Sequence, residues 1–578
     1  MRIEIQKEKK KYKVLLVMYR GFQENGIFTS IPDIGLATLA SILINEGHDV
    51  IIKDLVSFEI LEELYPHEYK DELINLRNEL DAFASKKTPG EIGFDKDESK
   101  LISKISKLEE KIEYRNQGVL SRISQDLNHL VNHYQPHLVG FKLWSLPSLP
   151  NQLYLARELK RKNKNLTMIG GGYHVDLMHY NQHYDFANAF DFFVYGYGEP
   201  VMKRLNDLMT GDKEILKTIP NLIYRDNGKI RVNKRENKEI WLSPLTFDKD
   251  VYLGMKSDKD KLKVPFLECS RGCTGTCAYC SGPFFSGRQT KLKPISFLID
   301  ELETFHSKYG FSYFYDSALN TPFSHIINAY KEMKKRCRSF ALNTYLSLRD
   351  FEPDYIPFLK QLHYDTARIG IETGSDKLLM RVNKNRTADD GLKRILMLQE
   401  SGINCSICLM SPLPGEDESD RLETLSYVEK MNPSLINVHP PEINPATYWW
   451  SQEKDINIKN PEQVMGYILE NGTITWDIGN KILPVAFREK IIGQDIYYNG
   501  RPFKDVFYAH KKFFNRVKKI NSHTSGSCTD KYNAELKYKQ LARKVEEKIS
   551  EACENGDFKG AHPLIHDFNQ ISTCGELY

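Results

Sequence analysis

The sequence predicts an α/β protein with three parts: an N-terminal doubly wound (Rossmann-like) domain over residues 1–210, a partial (β/α)6 barrel over 263–440, and a mainly helical C-terminal domain over 441–578. Three observations predict it. Short apolar runs alternate with amphipathic stretches in two separate blocks, the pattern of parallel sheets with crossover helices. Glycine clusters follow the apolar runs of the first block, where strands turn into helices. No cysteine occurs before Cys269, and four then fall between Cys269 and Cys280.

In the first block the strands are expected at residues 14–18, 49–53, 138–142, 166–169 and 190–194, with helical spacing over 35–45, 153–159 and 201–209. A charged insertion over about 59–130 carries Leu73, Leu76, Leu80 and Phe83, then Leu101, Ile105, Leu108 and Ile112, three or four apart. That spacing predicts a surface hairpin of two helices joined near Thr88-Pro89-Gly90. Residues 211–262, with Pro220 and Asn227-Gly228, are expected to be a linker with a small hairpin.

The second block predicts strands at 265–269, 311–316, 340–345, 367–372, 404–410 and 435–440, with helices that include 294–309, 324–337 and 391–401. Six β/α units are too few to close an eightfold barrel, so an open one is expected, with its chemistry at the C-terminal ends of the strands. The remainder is rich in aromatics (Tyr448, Trp449, Trp450, Trp476) and ends in basic helices. These aromatics are expected to cap the barrel mouth and contact substrate; for Trp449 and Trp450 core packing is the competing reading.

Composition narrows the function classes. Lys plus Arg is 80 against 77 for Asp plus Glu, a net charge of +3 with no basic arm, so no nucleic-acid partner is expected. With 41% hydrophobic and 27% charged residues the chain is an ordinary folded protein. No apolar run is long enough to span a bilayer, and residues 14–18 are too short for a signal-peptide core, so a cytoplasmic location without membrane contact is expected. Ten cysteines are too sparse for a disulfide scaffold.

They are also too clustered for chance. At this frequency a given three-cysteine spacing arises on the order of 0.003 times per chain, yet Cys273, Cys277 and Cys280 stand four and three apart on a glycine-containing loop. Soft thiolates in that arrangement suit zinc or an iron–sulfur cluster, and the paired CxxC units of a zinc ribbon are absent. Cys269 belongs to the preceding strand and reads as a buried thiol. Cys405 and Cys408, three apart on a strand, point to opposite faces and read as core packing. Cys337, Cys528, Cys553 and Cys574 are too scattered for a second cluster.

The CxxxCxxC loop, with Tyr279 before its last cysteine, resembles the signature of radical S-adenosylmethionine (SAM) enzymes. The resemblance extends to Arg368-Ile-Gly-Ile-Glu372-Thr-Gly-Ser375, to Asn383-Lys384 and to Leu413-Pro-Gly-Glu416. It implies that Cys273, Cys277 and Cys280 hold a 4Fe-4S cluster with one iron left open to the amino and carboxylate groups of SAM. It further implies Tyr279 near the adenine, Glu372 and Ser375 near the ribose or methionine moiety, and Arg368 and Asn343 as additional SAM contacts. Asp316 ends the second barrel strand, where the family places groups touching the SAM amino group, although Tyr-Asp-Ser stands here in place of the usual Gly-Gly-Glu.

In the first block, Gly170-Gly171-Gly172-Tyr173-His174 follows the fourth strand and Tyr195-Gly196-Tyr197-Gly198-Glu199-Pro200 the fifth. Glycines at such turns let backbone amides approach an anionic ligand, so a nucleotide or phosphate site is the general reading. Together with Ile31-Pro32-Asp33-Ile34-Gly35, these turns resemble the cobalamin-binding domain attached to many radical SAM enzymes, over about residues 12–210. The resemblance implies cobalamin contacts from Pro32, Gly35, Gly170, Gly171, Gly172, His174, Gly196, Gly198 and Glu199, with Trp144 and Ser145 along the nucleotide tail; core packing is the equal alternative for Trp144. No Asp-x-His-x-x-Gly string occurs, so no protein histidine is expected on cobalt, and His48 is expected to be structural. The cysteine-free first 268 residues set the chain apart from methylthiotransferases, which place a second cluster on N-terminal cysteines.

Taken together, the resemblance is to class B cobalamin-dependent radical SAM methyltransferases. It implies methyl transfer from methylcobalamin to an unactivated carbon of a small-molecule or natural-product substrate, after hydrogen abstraction by a 5′-deoxyadenosyl radical. Two SAM molecules would be consumed per product, an external electron donor of flavodoxin or ferredoxin type is implied, and a monomer is expected. The same motifs also serve the alternative of a cyclisation or rearrangement without methyl transfer.

Overall fold

The structure is a computed structural model. It describes residues 10–19, 33–55, 96–144, 148–184, 188–237, 240–241, 250–253, 266–309, 313–316, 321–338, 340–343, 345–364, 366–439, 444–471, 496–502, 504–521 and 524–526, with isolated positions between 60 and 83. The chain divides into two compact units, one of residues 1–21, 32–57 and 117–259 and one of 22–31, 58–116 and 260–578.

The first unit is built on strands β1 (Lys13–Met18), β2 (Asp49–Asp54), β3 (Leu138–Lys142), β4 (Thr167–Gly171) and β5 (Phe192–Val194), all parallel and ordered β5-β4-β3-β1-β2. Residues Val14 to Met18 are all buried, as expected of a central strand covered on both faces. Val14 stands opposite Val50 on one side and Leu138 on the other, so the order reverses between β1 and β3. That reversal is the topological switch point at which doubly wound sheets open a ligand crevice. The helix Ile34–Asn45 follows β1 and buries Leu36, Ala37, Ala40, Ile42 and Leu43. Its N-cap is Asp33, whose Oδ1 accepts a hydrogen bond from Leu36 N at 2.8 Å, a cap that stabilises a helix by about 1 kcal/mol.

One expectation is corrected here. Within 211–262, expected as a linker, residues 222–226, 229–232 and 252–253 join the sheet. Strands β6 (Leu222–Asp226) and β7 (Lys229–Val232) form the hairpin, β6 pairs antiparallel with β5, and β8 (Tyr252–Leu253) pairs parallel with β2. The physical reason is edge protection: Leu222, Ile223 and Tyr224 are buried where β5 would otherwise present a bare edge. In the insertion, Leu101, Ile105, Leu108 and Ile112 lie on one long helix, Lys96–Tyr134, while the expected joint at Thr88-Pro89-Gly90 lies outside the described residues.

The second unit contains a wall of parallel strands. β9 (Phe266–Leu267), β12 (Tyr313–Asp316) and β13 (Ala341–Asn343) form one part, and β14 (Thr366–Glu372), β15 (Asn404–Met410) and β16 (Leu435–His439) another. The two meet through the Tyr345–Arg368 bridge and the bond from Leu346 N to Arg368 O at 2.9 Å. Ile369, Ile371, Ile407, Leu409, Ile436 and Val438 belong to one buried core, each side chain contributing about 1.5–3 kcal/mol of burial. The wall gains a strand beyond the six expected, because β20 (Thr524–Gly526), after the helix Lys504–Ile520, pairs parallel with β16. A small two-stranded ladder of β10 (Ser270–Arg271) and β11 (Lys291–Leu292) brackets the cysteine loop, and β17 (Ile456–Ile458), β18 (Ile496–Tyr498) and β19 (Arg501–Pro502) form an antiparallel sheet in the C-terminal part. Among the described residues no helix is long and apolar enough to cross a membrane.

Candidate functional site

The cysteine loop sits between β10 and the short helix Gly282–Phe285, so it emerges at the C-terminal end of β9. Cys273, Cys277 and Cys280 are half-buried, free thiols. The loop is shaped from within: Gly275 N lies 3.2 Å from Cys273 Sγ, Cys280 N donates to Cys277 O at 3.2 Å, and Cys273 N donates to Ser286 Oγ at 3.3 Å. Burial pushes the Cys280 thiol up to about 11, and the neighbouring Cys277 and Cys273 push the same way. Lys384 opposes this at Cys280. Arg349 donates to Thr274 Oγ1 at 3.3 Å, and its guanidinium is held up chiefly by Asp350, with Cys273 and Cys277 adding to it.

Among the described residues, no three His, Cys, Asp or Glu side chains are gathered tightly enough to hold a single metal ion. The donor set is three thiols on one loop. Cys269 adds no fourth: it is fully buried between β9 and β10, and its backbone N donates to Asp316 Oδ1 at 3.0 Å. Three soft donors on one loop suit an iron–sulfur cluster.

The turn after the helix Asp376–Arg381 fastens the loop to the barrel. Ala278 N donates to Val382 O at 3.1 Å and Asn383 Nδ2 donates to Thr276 O at 2.9 Å, so both peptides flanking Cys277 are held. Beside them, Tyr279 Oη donates to Glu372 Oε1 at 2.9 Å, Lys384 Nζ pairs with the same oxygen at 2.9 Å, and Nζ lies 5.6 Å from the centre of the Tyr279 ring. Glu372 ends β14 with φ +68°, at a register shift between Gly370 and Glu372. A left-handed glutamate is strained by about 1 kcal/mol or more and persists where its surroundings hold it. Gly370 makes the arrangement possible: a Cβ there would lie 2.7 Å from Glu372 Oε1 and 3.2 Å from Lys384 Nζ.

The other expected residues divide. Arg368 is buried on β14 with its guanidinium 5.8 Å from the centre of the Tyr345 ring. Asn343 ends β13, and only its backbone is described. Asp316 is fully buried and both of its oxygens are engaged, Oδ1 by Cys269 N and Oδ2 by Thr321 Oγ1 at 2.5 Å; instead of standing open it ties the end of β12 to the end of β9. Ser375 likewise donates to Asp420 Oδ1 at 2.6 Å, joining the cap of the helix Glu418–Met431. Cys405 is buried in the core, but Cys408 is half-buried on the opposite face and feels Glu372, Arg368 and Lys384; burial first and Glu372 next push its thiol up to about 12.

Two residues, Lys384 and Glu416, were not legible in their roles, and a third, Trp449, had been expected either at the barrel mouth or in the core. Lys384 appeared only as part of a motif, without a role. Trp449 is fully buried with its ring centre 5.6 Å from that of Tyr279, its backbone N donates to Ala278 O at 3.2 Å, and its indole Nε1 has no hydrogen-bond partner among the described residues. Glu416 is buried among Ser411 Oγ at 2.7 Å, Arg421 Nε at 2.8 Å and Leu413 N, and burial pushes its carboxyl up to about 7 against the pull of Arg421.

In the first unit the expected ligand turns gather at the C-terminal ends of β1, β3, β4 and β5. Lys142 Nζ pairs with Asp33 Oδ2 at 2.5 Å across the switch point and lies 4.4 Å from the centre of the Trp144 ring. Gly35 lies beside this pair, since a Cβ there would be 3.2 Å from Asp33 Oδ1. Trp144 N donates to Gln152 Oε1 at 3.1 Å. Gly170 and Gly172 answer to packing within the protein. A Cβ on Gly170 would lie 2.7 Å from the Phe193 ring, and one on Gly172, at φ +115°, would lie 2.7 Å from Leu143 O. Gly171 is under no such constraint, its nearest neighbour being Val194 at 3.7 Å. His174 is buried at 2% exposure and its N donates to Leu143 O at 3.3 Å. Gly196 N donates to Asp176 Oδ1 at 2.6 Å, Gly198 packs on Leu39, and Glu199 is buried at the start of the next helix. His48 accepts from Tyr12 N at 3.3 Å, a structural role. Pro32 and Ser145 lie outside the described residues.

Residues 267–428 match the radical SAM superfamily. The barrel is a radical SAM domain. Its three-thiol loop and the Tyr279–Glu372–Lys384 group fall inside the matched stretch. The chain is 23% identical over 335 residues to an uncharacterized methyltransferase of Pyrococcus horikoshii, covering 56% of this chain and 71% of the relative. It is also 23% identical over 242 residues to a tRNA-2-methylthio-N(6)-dimethylallyladenosine synthase of Chloroherpeton thalassium, covering 40% of this chain but only 51% of that relative. Among solved structures it shares the fold of the radical SAM methyltransferase TsrM from Kitasatospora setae, solved with cobalamin and a 4Fe-4S cluster bound, with a TM-score of 0.56 at 13% identity over 93% of this chain and all of that one.

Proposed function

We propose that the chain is a cobalamin-dependent radical SAM methyltransferase that methylates an unactivated carbon of a small molecule. The observation that carries the reading is a three-thiol loop bolted beside the Tyr279–Glu372–Lys384 group at the C-terminal rim of the barrel. When bound, the cluster supplies the electron that cleaves SAM, and cobalamin supplies the transferable methyl group.

The residues divide the work. Cys273, Cys277 and Cys280 hold the cluster and leave one iron for SAM. Tyr279 and Glu372 orient the nucleoside, with Arg368 and Asn343 further along the rim. Trp449 packs behind Tyr279 and excludes water. Asp316 and Ser375, with their polar atoms already engaged, position the loop and the helix cap.

In the first unit, the crevice marked by Asp33, Lys142 and Trp144, with Gly35, Gly171, Gly196, Gly198 and Glu199 around it, is the cobalamin site in this reading. The test is anaerobic incubation of reconstituted protein with reductant, hydroxocobalamin and SAM labelled in its methyl group. Label recovered on cobalamin supports the reading. SAM cleavage to 5′-deoxyadenosine without labelled cobalamin points instead to cyclisation or rearrangement chemistry.

A further inference from the structure

We propose that Lys384 is the partly buried positive charge that sets the reduction potential of the cluster held by Cys273, Cys277 and Cys280. The inference rests on the reading of those cysteines as cluster ligands and goes beyond it. The ammonium is fixed on three sides, at 2.9 Å from Glu372 Oε1, 3.4 Å from Gly370 O and 5.6 Å from the centre of the Tyr279 ring. Its own turn is bonded to both peptides that flank Cys277, so charge and ligand loop form one rigid piece. Its field reaches the sulfurs of Cys277 and Cys280. Burial pulls the ammonium down, but Glu372 and Cys277 hold it above the usual lysine range, so it stays charged at neutral pH.

Reducing the cluster adds one negative charge beside this cation. Inside the protein that attraction is screened far less than at the surface, so the reduced state is favoured and the potential raised. Arg349 also acts on Cys273 and Cys277, but it is exposed and paired with Asp350 at 3.2 Å, where solvent weakens its effect. Glu372, paired with Lys384 at 2.9 Å, offsets its charge, so removing the carboxylate should raise the potential further. Lys384 is thus a positioning charge that acts through the cluster.

The experiment compares the wild-type chain with Lys384→Met, Lys384→Arg and Glu372→Gln after anaerobic reconstitution, counting iron and sulfide and titrating the cluster by electron paramagnetic resonance without SAM. The expected result is a more negative midpoint for K384M, a midpoint near wild type for K384R and a more positive one for E372Q. A full cluster at an unchanged midpoint in K384M overturns the proposal. If K384M assembles no cluster, E372Q decides, since an unchanged midpoint there overturns it equally. A wild-type chain that takes up no iron and sulfide overturns the parent reading, and this one with it.

Discussion

Tyr279 Oη and Glu372 Oε1 are 2.9 Å apart although the residues are 93 positions apart in sequence, so the aromatic between Cys277 and Cys280 is tied to the end of β14. If this pair orients SAM, Glu372→Gln weakens SAM binding about 10- to 100-fold, the range expected for hydrogen bonds to a charged group. Iron content should stay at the wild-type level. Equilibrium dialysis of reconstituted protein with labelled SAM checks both halves, and unchanged affinity would remove Glu372 from the SAM site.

Asp316 is predicted to matter for stability before it matters for ligand. Replacing it by alanine leaves Cys269 N–H and the Thr321 hydroxyl without their acceptor in a fully buried place, which costs about 2–4 kcal/mol. Denaturant unfolding measures this. A variant of full stability that no longer binds SAM would return Asp316 to the ligand site.

Glu416 gives the barrel a pH signature. Burial raises its carboxyl to about 7 from an ordinary value of 4.5. A group whose folded-state value is raised favours the fold when protonated. Its contribution is therefore fully present below pH 4.5 and lost as the pH rises towards 7, at most about 3 kcal/mol. The difference in unfolding free energy between wild type and Glu416→Gln, followed from pH 4.5 to 7.5, should trace that loss; a flat difference contradicts it.

Neighbouring glycines in the first unit separate packing from ligand contact. Gly172→Ala forces a Cβ to 2.7 Å from Leu143 O at φ +115° and should destabilise the unit by about 2 kcal/mol or more. Gly171→Ala meets nothing nearer than 3.7 Å and should leave stability within about 0.5 kcal/mol of wild type. Cobalamin titration followed by absorbance then tests the turn itself. Loss of binding in Gly171→Ala supports close approach of the corrin, and unaltered binding moves the contact elsewhere.

What was legible in the sequence follows from what each element needs. Strands buried on both faces, such as β1 and β15, must be apolar runs, and they read as such. β20 is Thr-Ser-Gly and pairs with β16 along its backbone, so no apolar pattern announces it. The hairpin β6–β7 was visible from Asn227-Gly228, but its membership of the sheet depends on the bare edge of β5, which is a property of the fold. The cysteine spacing marked the ligand loop because three thiols on one loop are a local arrangement. The Tyr279–Glu372–Lys384 group is not local, and only the folded barrel brings those positions together. Glycines and strand-end carboxylates carry a second demand that the sequence does not show: Gly172 lies against Leu143 O and Asp316 accepts from Cys269 N, so each has a structural role whether or not it meets a ligand.

The central claim is that three cysteines hold a cluster with one iron open to SAM. Its most direct test is to reconstitute the chain anaerobically with iron and sulfide, reduce it, and record electron paramagnetic resonance spectra before and after adding SAM. The account predicts about four iron and four sulfide per chain, a spectrum that changes on SAM addition, and release of 5′-deoxyadenosine that disappears in Cys277→Ala. Uptake of zinc in place of iron, or a reduced cluster whose spectrum ignores SAM, would contradict it.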